Sequence, residues 1–120
     1  MADEYTTAED KGSFSFERRG SEFVGYVCRA PDTDEAEAFV EEARDRHPDA
    51  THHVYAYRVG ADDDPLRERY DDAGEPSGSA GKPVLNVLQG EGVVNVVAVV
   101  VRYYGGTKLG YGGLVRAYSD

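Results

Sequence analysis

Several residue types that commonly shape a protein are scarce in this chain. Its 120 residues include one cysteine, no isoleucine and only 3 lysines against 10 arginines. Because Cys28 has no second cysteine to pair with, an internal disulfide is excluded, and the polar N-terminus lacks the apolar stretch of a secretory signal. The longest apolar run, residues 93–101, is broken by Asn95 and is far shorter than the roughly 20 residues that cross a bilayer. We therefore expect one cytoplasmic domain without a membrane span.

The charge of the chain is unevenly distributed. The formal net charge is −10, yet residues 76–120 contain four basic and two acidic residues, a net charge of +2, which leaves −12 for residues 1–75. Abundant Asp and Glu with few lysines indicate adaptation to high salt, which screens the self-repulsion of an acidic surface. On this interpretation the acidity reflects habitat and does not identify a partner. The alternative, an acidic protein that binds basic partners, stays open.

The apolar pattern predicts a domain over residues 13–120, preceded by a flexible N-terminus over residues 1–12. Alternating residues predict two strands joined by a tight turn at about residues 19–21, and a further strand over residues 53–59. These strands, together with the helices described next, predict the α+β class.

Two helices are expected between and after these strands. The first begins near a capping pair, Asp34 and Glu37, continues with apolar residues at 3.6-residue spacing, and ends at His47. The second is a short apolar helix over residues 84–88 that Gly90 closes.

The remaining segments differ sharply in polarity. Residues 60–81 are rich in Asp, Gly, Pro and Ser and are predicted to form one long loop. Residues 93–103 are nearly all β-branched, which predicts a central strand covered on both faces. A last helix is predicted to begin at about Leu114.

The end of that loop, residues 71–83, is the first candidate site. Its glycines let the backbone turn sharply and expose N–H groups, as in an anion-binding nest. Its carboxylates would repel a phosphate, so that Asp72 or Glu75 could instead hold Mg²⁺ or pair with a nearby arginine. A simple surface loop is the third possibility. The candidate residues here are Asp72, Gly74, Glu75, Pro76, Ser77, Gly78, Gly81 and Lys82.

The second candidate site is the sequence RYYGGTKLGYGGLVRAY, residues 102–118. Its glycines precede a predicted helix, so that backbone N–H groups and the positive end of the helix dipole are available to an anion. Basic residues interleaved with tyrosines are typical of phosphate binding combined with base stacking. The alternative is that the glycines only permit turns and the tyrosines belong to the core. The candidate residues are Arg102, Tyr104, Gly105, Gly106, Lys108, Gly110, Tyr111, Gly112, Gly113 and Arg116.

Standard enzyme motifs do not match these sites. Neither a Walker A sequence nor a GxGxxG fingerprint is present. Adjacent histidines, His52 and His53, point to opposite faces of a strand, so that they do not suggest a metal site. No G-x-S-x-G elbow frames Ser77 or Ser79 as a nucleophile. We therefore assign no catalytic residue, metal or cofactor.

Three ordered blocks carry a family resemblance: HPDATHHVYAYRVG, GEPSGSAGKPVL and VVVRYYGGTKLGYGGLVRAY. They resemble the N-terminal domain of the IMPACT/YigZ family over about residues 13–118. The resemblance implies a fold like domain 2 of ribosomal protein S5, with a four-stranded sheet and helices packed on one face. It also implies a role in translation, because eukaryotic relatives bind the activator of a kinase that acts on an initiation factor, and bacterial relatives are linked to nucleic acid or the translation machinery.

The sequence departs from this family pattern in two ways. Relatives usually read DDGEP where this chain has Ala73 in place of the second acidic residue, which weakens a two-carboxylate metal mechanism. Bacterial and archaeal relatives continue into a ferredoxin-like domain, and eukaryotic ones carry an N-terminal RWD domain, neither of which this sequence contains.

The leading hypothesis is a non-enzymatic module that binds RNA or a ribosome-associated protein through residues 105–118 and the loop at residues 74–82. Arg102, Lys108 and Arg116 are the predicted phosphate contacts. One alternative is an enzyme acting on a phosphorylated small molecule, with the glycine-rich loop cradling phosphate. Another is a regulatory protein-interaction domain that docks through its acidic helix, residues 35–45.

Overall fold

The computed structural model describes residues 6–7, 11–60, 66–104 and 113–114. The described elements are β1 (Thr6–Thr7), β2 (Lys11–Arg18), β3 (Ser21–Arg29), α1 (Thr33–Arg46), β4 (His52–Val59), β5 (Arg67–Asp71), α2 (Gly81–Gly90), β6 (Val93–Val94) and β7 (Val96–Tyr103). An antiparallel sheet of five strands, in the order β2-β3-β7-β4-β5, forms the centre of the domain, and β1 pairs separately with β6 in parallel.

The α+β class is confirmed, and the predicted central strand is β7. Seven of its eight residues are buried, because the strand lies in the middle of the sheet with side chains packed on both faces. The predicted run is divided at Asn95, whose φ of 55° interrupts the extended backbone between β6 and β7.

The two helices pack on opposite faces of the sheet, which corrects the expectation of helices on one face. Alternate residues of β7 belong to two separate cores, one shared with α1 and the other with α2. The α1 core includes Val97, Val99 and Val101, and the α2 core includes Val96, Ala98 and Val100. A strand that is apolar on both faces needs cover on both faces, as its sequence indicated.

The predicted hairpin is confirmed, and its register extends from Lys11 opposite Cys28 to Arg18 opposite Ser21. The connection has two residues with positive φ, Arg19 at 52° and Gly20 at 85°. Two positive values match the twist of the flanking strands, which is why such turns join hairpins.

Helix α1 ends at its C-cap His47, as predicted, but it begins earlier than the proposed capping pair. Asp32 is the N-cap, with its Oδ1 accepting a hydrogen bond from the Glu35 N–H at 2.9 Å. Asp32 has an extended backbone, which an N-cap requires, whereas Asp34 already lies within the first helical turn.

The predicted long loop at residues 60–81 contains strand β5, which makes the sheet five-stranded instead of four-stranded. Four of its five residues are exposed, so that no apolar alternation marks it in the sequence. The strand forms at the sheet edge through backbone pairing with β4 and an ion pair between Arg58 and Glu68 at 2.6 Å.

The predicted flexible N-terminus, residues 1–12, lies largely outside the described residues. Within the described part, Thr6–Thr7 pairs with Val93–Val94, and β2 begins at Lys11. These backbone hydrogen bonds depend on strands distant in the sequence, which is why the local pattern did not indicate them.

Candidate functional site

Arg102, close to the end of β7, forms a buried ion pair with Glu75. Its Nη1 donates to both carboxylate oxygens, at 2.9 and 2.8 Å, while Nε and Nη2 donate to Ser21 Oγ at 3.3 and 3.2 Å. Only 4% of Arg102 and 7% of Glu75 is exposed. Charge-assisted bonds inside the protein thus fasten the loop after β5 to the sheet. The phosphate contact predicted for Arg102 is incompatible with this burial.

His52, the first residue of β4, completes what we call the buried polar cluster: Ser21, His52, Glu75 and Arg102. His52 Nε2 lies 3.5 Å from Glu75 Oε1, and Nδ1 donates to the carbonyl oxygen of Ala73 at 2.8 Å. The loop is therefore held to two neighbouring strands of the sheet at the same end.

The Asp72 carboxylate accepts hydrogen bonds from backbone N–H groups in the remainder of the loop. Its Oδ1 accepts hydrogen bonds from the N–H groups of Gly81 at 2.8 Å and Ala80 at 3.2 Å, and its Oδ2 accepts one from Gly78 at 2.9 Å. Ala80 and Gly81 lie at the start of α2, where a bound phosphate would accept hydrogen bonds from such N–H groups. The protein's own carboxylate thus occupies the anion site that the sequence predicts in this loop.

The backbone of the loop is closely packed. The N–H and hydroxyl of Ser79 both donate to the carbonyl oxygen of Pro76, at 3.0 and 2.5 Å. At Gly81 a Cβ would lie 2.8 Å from the backbone of Asp71, so that only glycine fits there. Among the candidate residues of this loop, the exposed ones are Gly74, Pro76, Ser77 and Lys82.

Tyr104 follows β7 and lies at the surface, in contrast to Arg102. Its N–H donates to Thr51 Oγ1 at 3.0 Å, and its ring centroid lies 5.5 Å from the Arg102 guanidinium. The side chain is 46% exposed, the accessibility that stacking on a base requires. The hydrogen bond to Thr51 fixes the backbone at Tyr104, where the glycine-rich segment begins.

Most of that segment lies outside the described residues. Gly113 and Leu114 are helical, which agrees with the predicted helix start, and Leu114 is 4% exposed in the α2 core. The candidate residues outside the described part are Gly105, Gly106, Lys108, Gly110, Tyr111, Gly112 and Arg116.

Sequence reasoning missed Ser21, Thr51 and His52 as parts of this site. Each is a polar residue at or next to a strand end, and each meets its partner only because β3, β7 and β4 are neighbours. No local pattern indicates such contacts, although a histidine among β-branched residues is a weak signal of a buried hydrogen bond.

A different polar cluster lies on the α1 face. His47, the C-cap of α1, is hydrogen-bonded through Nε2 to the Tyr26 hydroxyl at 2.6 Å and through Nδ1 to the Tyr103 hydroxyl at 2.5 Å. Burial, and then the charges of His53 and Arg46, lower the pKa of His47. Burial raises the pKa of the Tyr103 hydroxyl. These are neutral groups that join the helix to two strands.

The described residues contain no group of three or more His, Cys, Asp or Glu side chains arranged to hold a metal ion. Within the same residues, no helix is long and apolar enough to cross a membrane.

The fold and the fixed loop define a class of domain, the Impact N-terminal domain, whose family model matches residues 19–120. This chain belongs to the IMPACT family. It is 50% identical over 103 residues to the IMPACT family member YigZ of Escherichia coli, covering 86% of this chain and 50% of that protein. It is 43% identical over 117 residues to an IMPACT family member of Haemophilus influenzae, covering 98% of this chain and 57% of that protein.

Two solved structures share the fold. A crystal structure of a hypothetical protein superposes with a TM-score of 0.87 at 46% identity, covering 92% of this chain and 53% of that one. The two-domain translational regulator Yih1 superposes with a TM-score of 0.60 at 24% identity, covering all of this chain and 50% of that one. The chain thus spans about half the length of the relatives that it matches.

Proposed function

We propose that this domain is a non-enzymatic RNA-binding module in the control of translation, which contacts RNA through Tyr104 and residues 105–118. The observation that carries the proposal is the exposed ring of Tyr104, held at the start of a glycine-rich, basic segment by Thr51 and by Arg102 of the buried polar cluster. A fixed aromatic ring next to a segment that contains glycines and basic residues suits nucleic-acid recognition, which combines stacking with phosphate contacts.

The translation context comes from the relatives. Yih1, which shares the fold, is described as a translational regulator. Residues 76–120 have a net charge of +2 in an otherwise acidic chain, but Arg102 is neutralised by Glu75. Lys108 and Arg116 therefore supply the positive charge that favours an anionic partner for this part of the domain.

The positions of the charged side chains refine which residues contact phosphate. Arg102 is enclosed by Glu75 and Ser21, so its role is to position the backbone that leads to Tyr104. Lys108 and Arg116 are then the phosphate contacts within the segment. The loop at residues 74–82 supports the site and does not itself cradle a phosphate, because Asp72 already accepts from its N–H groups.

The same contacts count against the enzyme alternative. Asp72 and Glu75 are the carboxylates that the sequence offers to Mg²⁺ beside a phosphorylated substrate. One is satisfied by three backbone N–H groups and the other by a guanidinium, so that binding a cation would first require breaking these bonds.

RNA titrations at low and at molar salt test the proposal. The variant Lys108→Ala/Arg116→Ala should bind labelled single-stranded RNA more weakly, with a slope of log affinity against log salt that is smaller by about 1.4, at roughly 0.7 per phosphate contact. Arg29→Ala/Arg67→Ala is the matched control, because it removes the same charge from exposed positions at the other end of the sheet. An unmodified domain that binds no RNA at either salt concentration would refute the proposal.

A groove on the α1 face favours a second candidate, docking of a basic protein segment. The groove has a volume of about 690 Å³ and is lined by Cys28, Ala38 and Phe39 and by one basic residue, Arg29. Acidic residues of α1 also line it and outnumber the arginine: Glu35, Glu41, Glu42 and Asp45. Charge reversal at two of them, Glu42→Lys/Asp45→Lys, should abolish capture of a basic partner while leaving the RNA titration unchanged.

A further inference from the structure

Four aromatic rings, two of them joined through the Arg102 guanidinium, form a run across the α2 face of the sheet, from its edge strand to the residue after β7. The rings of Phe14 and Phe16 lie 6.1 Å apart, and those of Phe16 and Phe23 lie 4.9 Å apart. The Arg102 guanidinium then lies 5.7 Å from the Phe23 ring and 5.5 Å from that of Tyr104. We call these five side chains the aromatic strip.

The two ends of the strip are open to solvent, whereas its middle is buried. Phe14 is 43% exposed and Tyr104 is 46% exposed, whereas Phe23 is fully buried. Because α2 lies over β4 and β5, it does not cover the β2 edge of this face. Exposed aromatic rings present a flat apolar surface on which a base can stack, and Phe14 and Tyr104 present two of them on one face of the sheet.

The absence of a side chain at Gly25 makes room for the Phe14 ring. Phe14 pairs with Gly25 across the strands, and a Cβ at Gly25 would lie only 2.1 Å from the Phe14 Cζ. The missing side chain thus lets the Phe14 ring lie low over the sheet. The ring is held against β3 while part of its surface remains accessible.

Positive charge flanks the strip at the hairpin between β2 and β3. The Arg18 guanidinium lies 5.6 Å from the Phe16 ring, and Arg19 is exposed at the turn. The residues of β2 that share this face with Phe14 and Phe16 are Gly12 and Arg18, so the strand contributes no carboxylate to it. Glu17 and its cross-strand partner Glu22 fall on the other face of the sheet, because side chains alternate along a strand.

We infer that the aromatic strip is a binding surface for single-stranded RNA, with bases stacked on Phe14 and Tyr104 and phosphates near Arg18 and Arg19. This inference rests on the proposed function and extends its site from residues 105–118 to the edge strand. The spacing of residues and strands in a sheet puts the two exposed rings roughly 16 Å apart, a distance that a few nucleotides span. A π-face accepts any base, so binding at the strip has little sequence specificity.

The test compares ring-removing variants by titration with labelled oligoadenylate of about 12 nucleotides, a length within the range of single-strand binding sites. Phe14→Leu and Tyr104→Leu keep an apolar side chain but remove the stacking surface. Each should weaken binding roughly 5- to 150-fold, and the loss should persist in molar salt because stacking is not screened. Tyr70→Leu is the matched control, since Tyr70 is 40% exposed but lies on β5, at the opposite edge.

Ultraviolet crosslinking followed by mass spectrometry supplies an independent readout, with crosslinks expected at Phe14 and Tyr104. If both leucine variants bind like the unmodified domain while Lys108→Ala/Arg116→Ala binds weakly, the inference is wrong and the proposed function stands. If the unmodified domain binds no RNA, both are wrong. Loss of ribosome pelleting in the leucine variants with unchanged RNA affinity would assign the strip to a protein partner and overturn the inference.

Discussion

The two faces of the sheet differ in where their polar and charged side chains lie. On the α1 face, apolar residues fill the core, and Tyr26, His47 and Tyr103 form hydrogen bonds at its margin. Most carboxylates of α1 remain in solvent, whereas Glu37 is half-buried and accepts from the Tyr57 hydroxyl at 2.9 Å and from Arg69 at 3.2 Å. On the α2 face, an arginine and a glutamate are buried together, and an aspartate is enclosed by a loop. Charge is therefore mostly exposed on one face and buried on the other.

This difference shows where the domain depends on exact geometry. Apolar packing tolerates small shifts in position, whereas removing one partner of a buried ion pair strongly destabilises the folded protein. The α2 face uses such a pair to join the loop, the sheet and the start of the glycine-rich segment. The α1 face depends less on exact geometry, because the polar groups that join one helix end to two strands there are uncharged.

The largest predicted effect is on the α2 face, where Glu75→Gln would leave the Arg102 guanidinium buried without its counter-charge. We expect a loss of about 3 to 5 kcal/mol in the free energy of unfolding, measured by urea denaturation. The double variant Glu75→Leu/Arg102→Met should recover much of this loss, because apolar side chains of similar volume replace the pair. A double variant less stable than either single variant would contradict this account.

The aspartates that accept from backbone N–H groups near the two helix starts give a second, smaller contrast. Asp72→Ala leaves the N–H groups of Gly78, Ala80 and Gly81 without their acceptor. It should cost about 2 kcal/mol in the free energy of unfolding, against about 1 kcal/mol for Asp32→Ala at the exposed N-cap of α1. Sulfate should raise the melting temperature of the Asp72→Ala variant more than that of the Asp32→Ala variant, because an anion can bind the loop N–H groups that Asp72 no longer contacts. Thermal melts in sulfate and chloride measure this difference.

If sulfate raised the melting temperature equally for both variants and the unmodified domain, the salt would be acting only through its general stabilising effect. In that case the loop would not be an anion site in the absence of Asp72.

The smallest predicted effect is the pH dependence of the α1 face. Because the folded state lowers the pKa of His47 below its ordinary value of 6.5, the unfolded chain binds a proton more readily. The stability that neutral His47 contributes is fully present above about pH 6.5 and decreases as the pH falls below it. His47→Gln should reduce the slope of unfolding free energy against pH between about 5 and 7. An unchanged slope would show that His47 does not contribute to it.

Much of the fold could be predicted locally, but the site could be predicted only in part. The Arg19–Gly20 turn, the end of α1 at His47 and the two-sided cover of β7 all follow from neighbouring residues. Strand β5 could not be predicted, because an edge strand with charged side chains lacks the apolar alternation on which prediction depends. The aromatic strip was missed for a different reason: Tyr104 was predicted as a site residue, but its connection to Phe14 depends on strands that are distant in the chain.

The amino-acid sequence alone determined the class of fold, the order of most elements, the family and the two segments in which polar, glycine-rich chemistry is concentrated. These properties depend on local periodicity, turn residues and ordered motifs. Only the tertiary structure decided that Arg102 is buried against Glu75, that Asp72 fills its own loop and that Tyr104 remains exposed. The physical reason is that burial and pairing depend on which strands are neighbours, and the β2-β3-β7-β4-β5 order joins residues up to 81 positions apart.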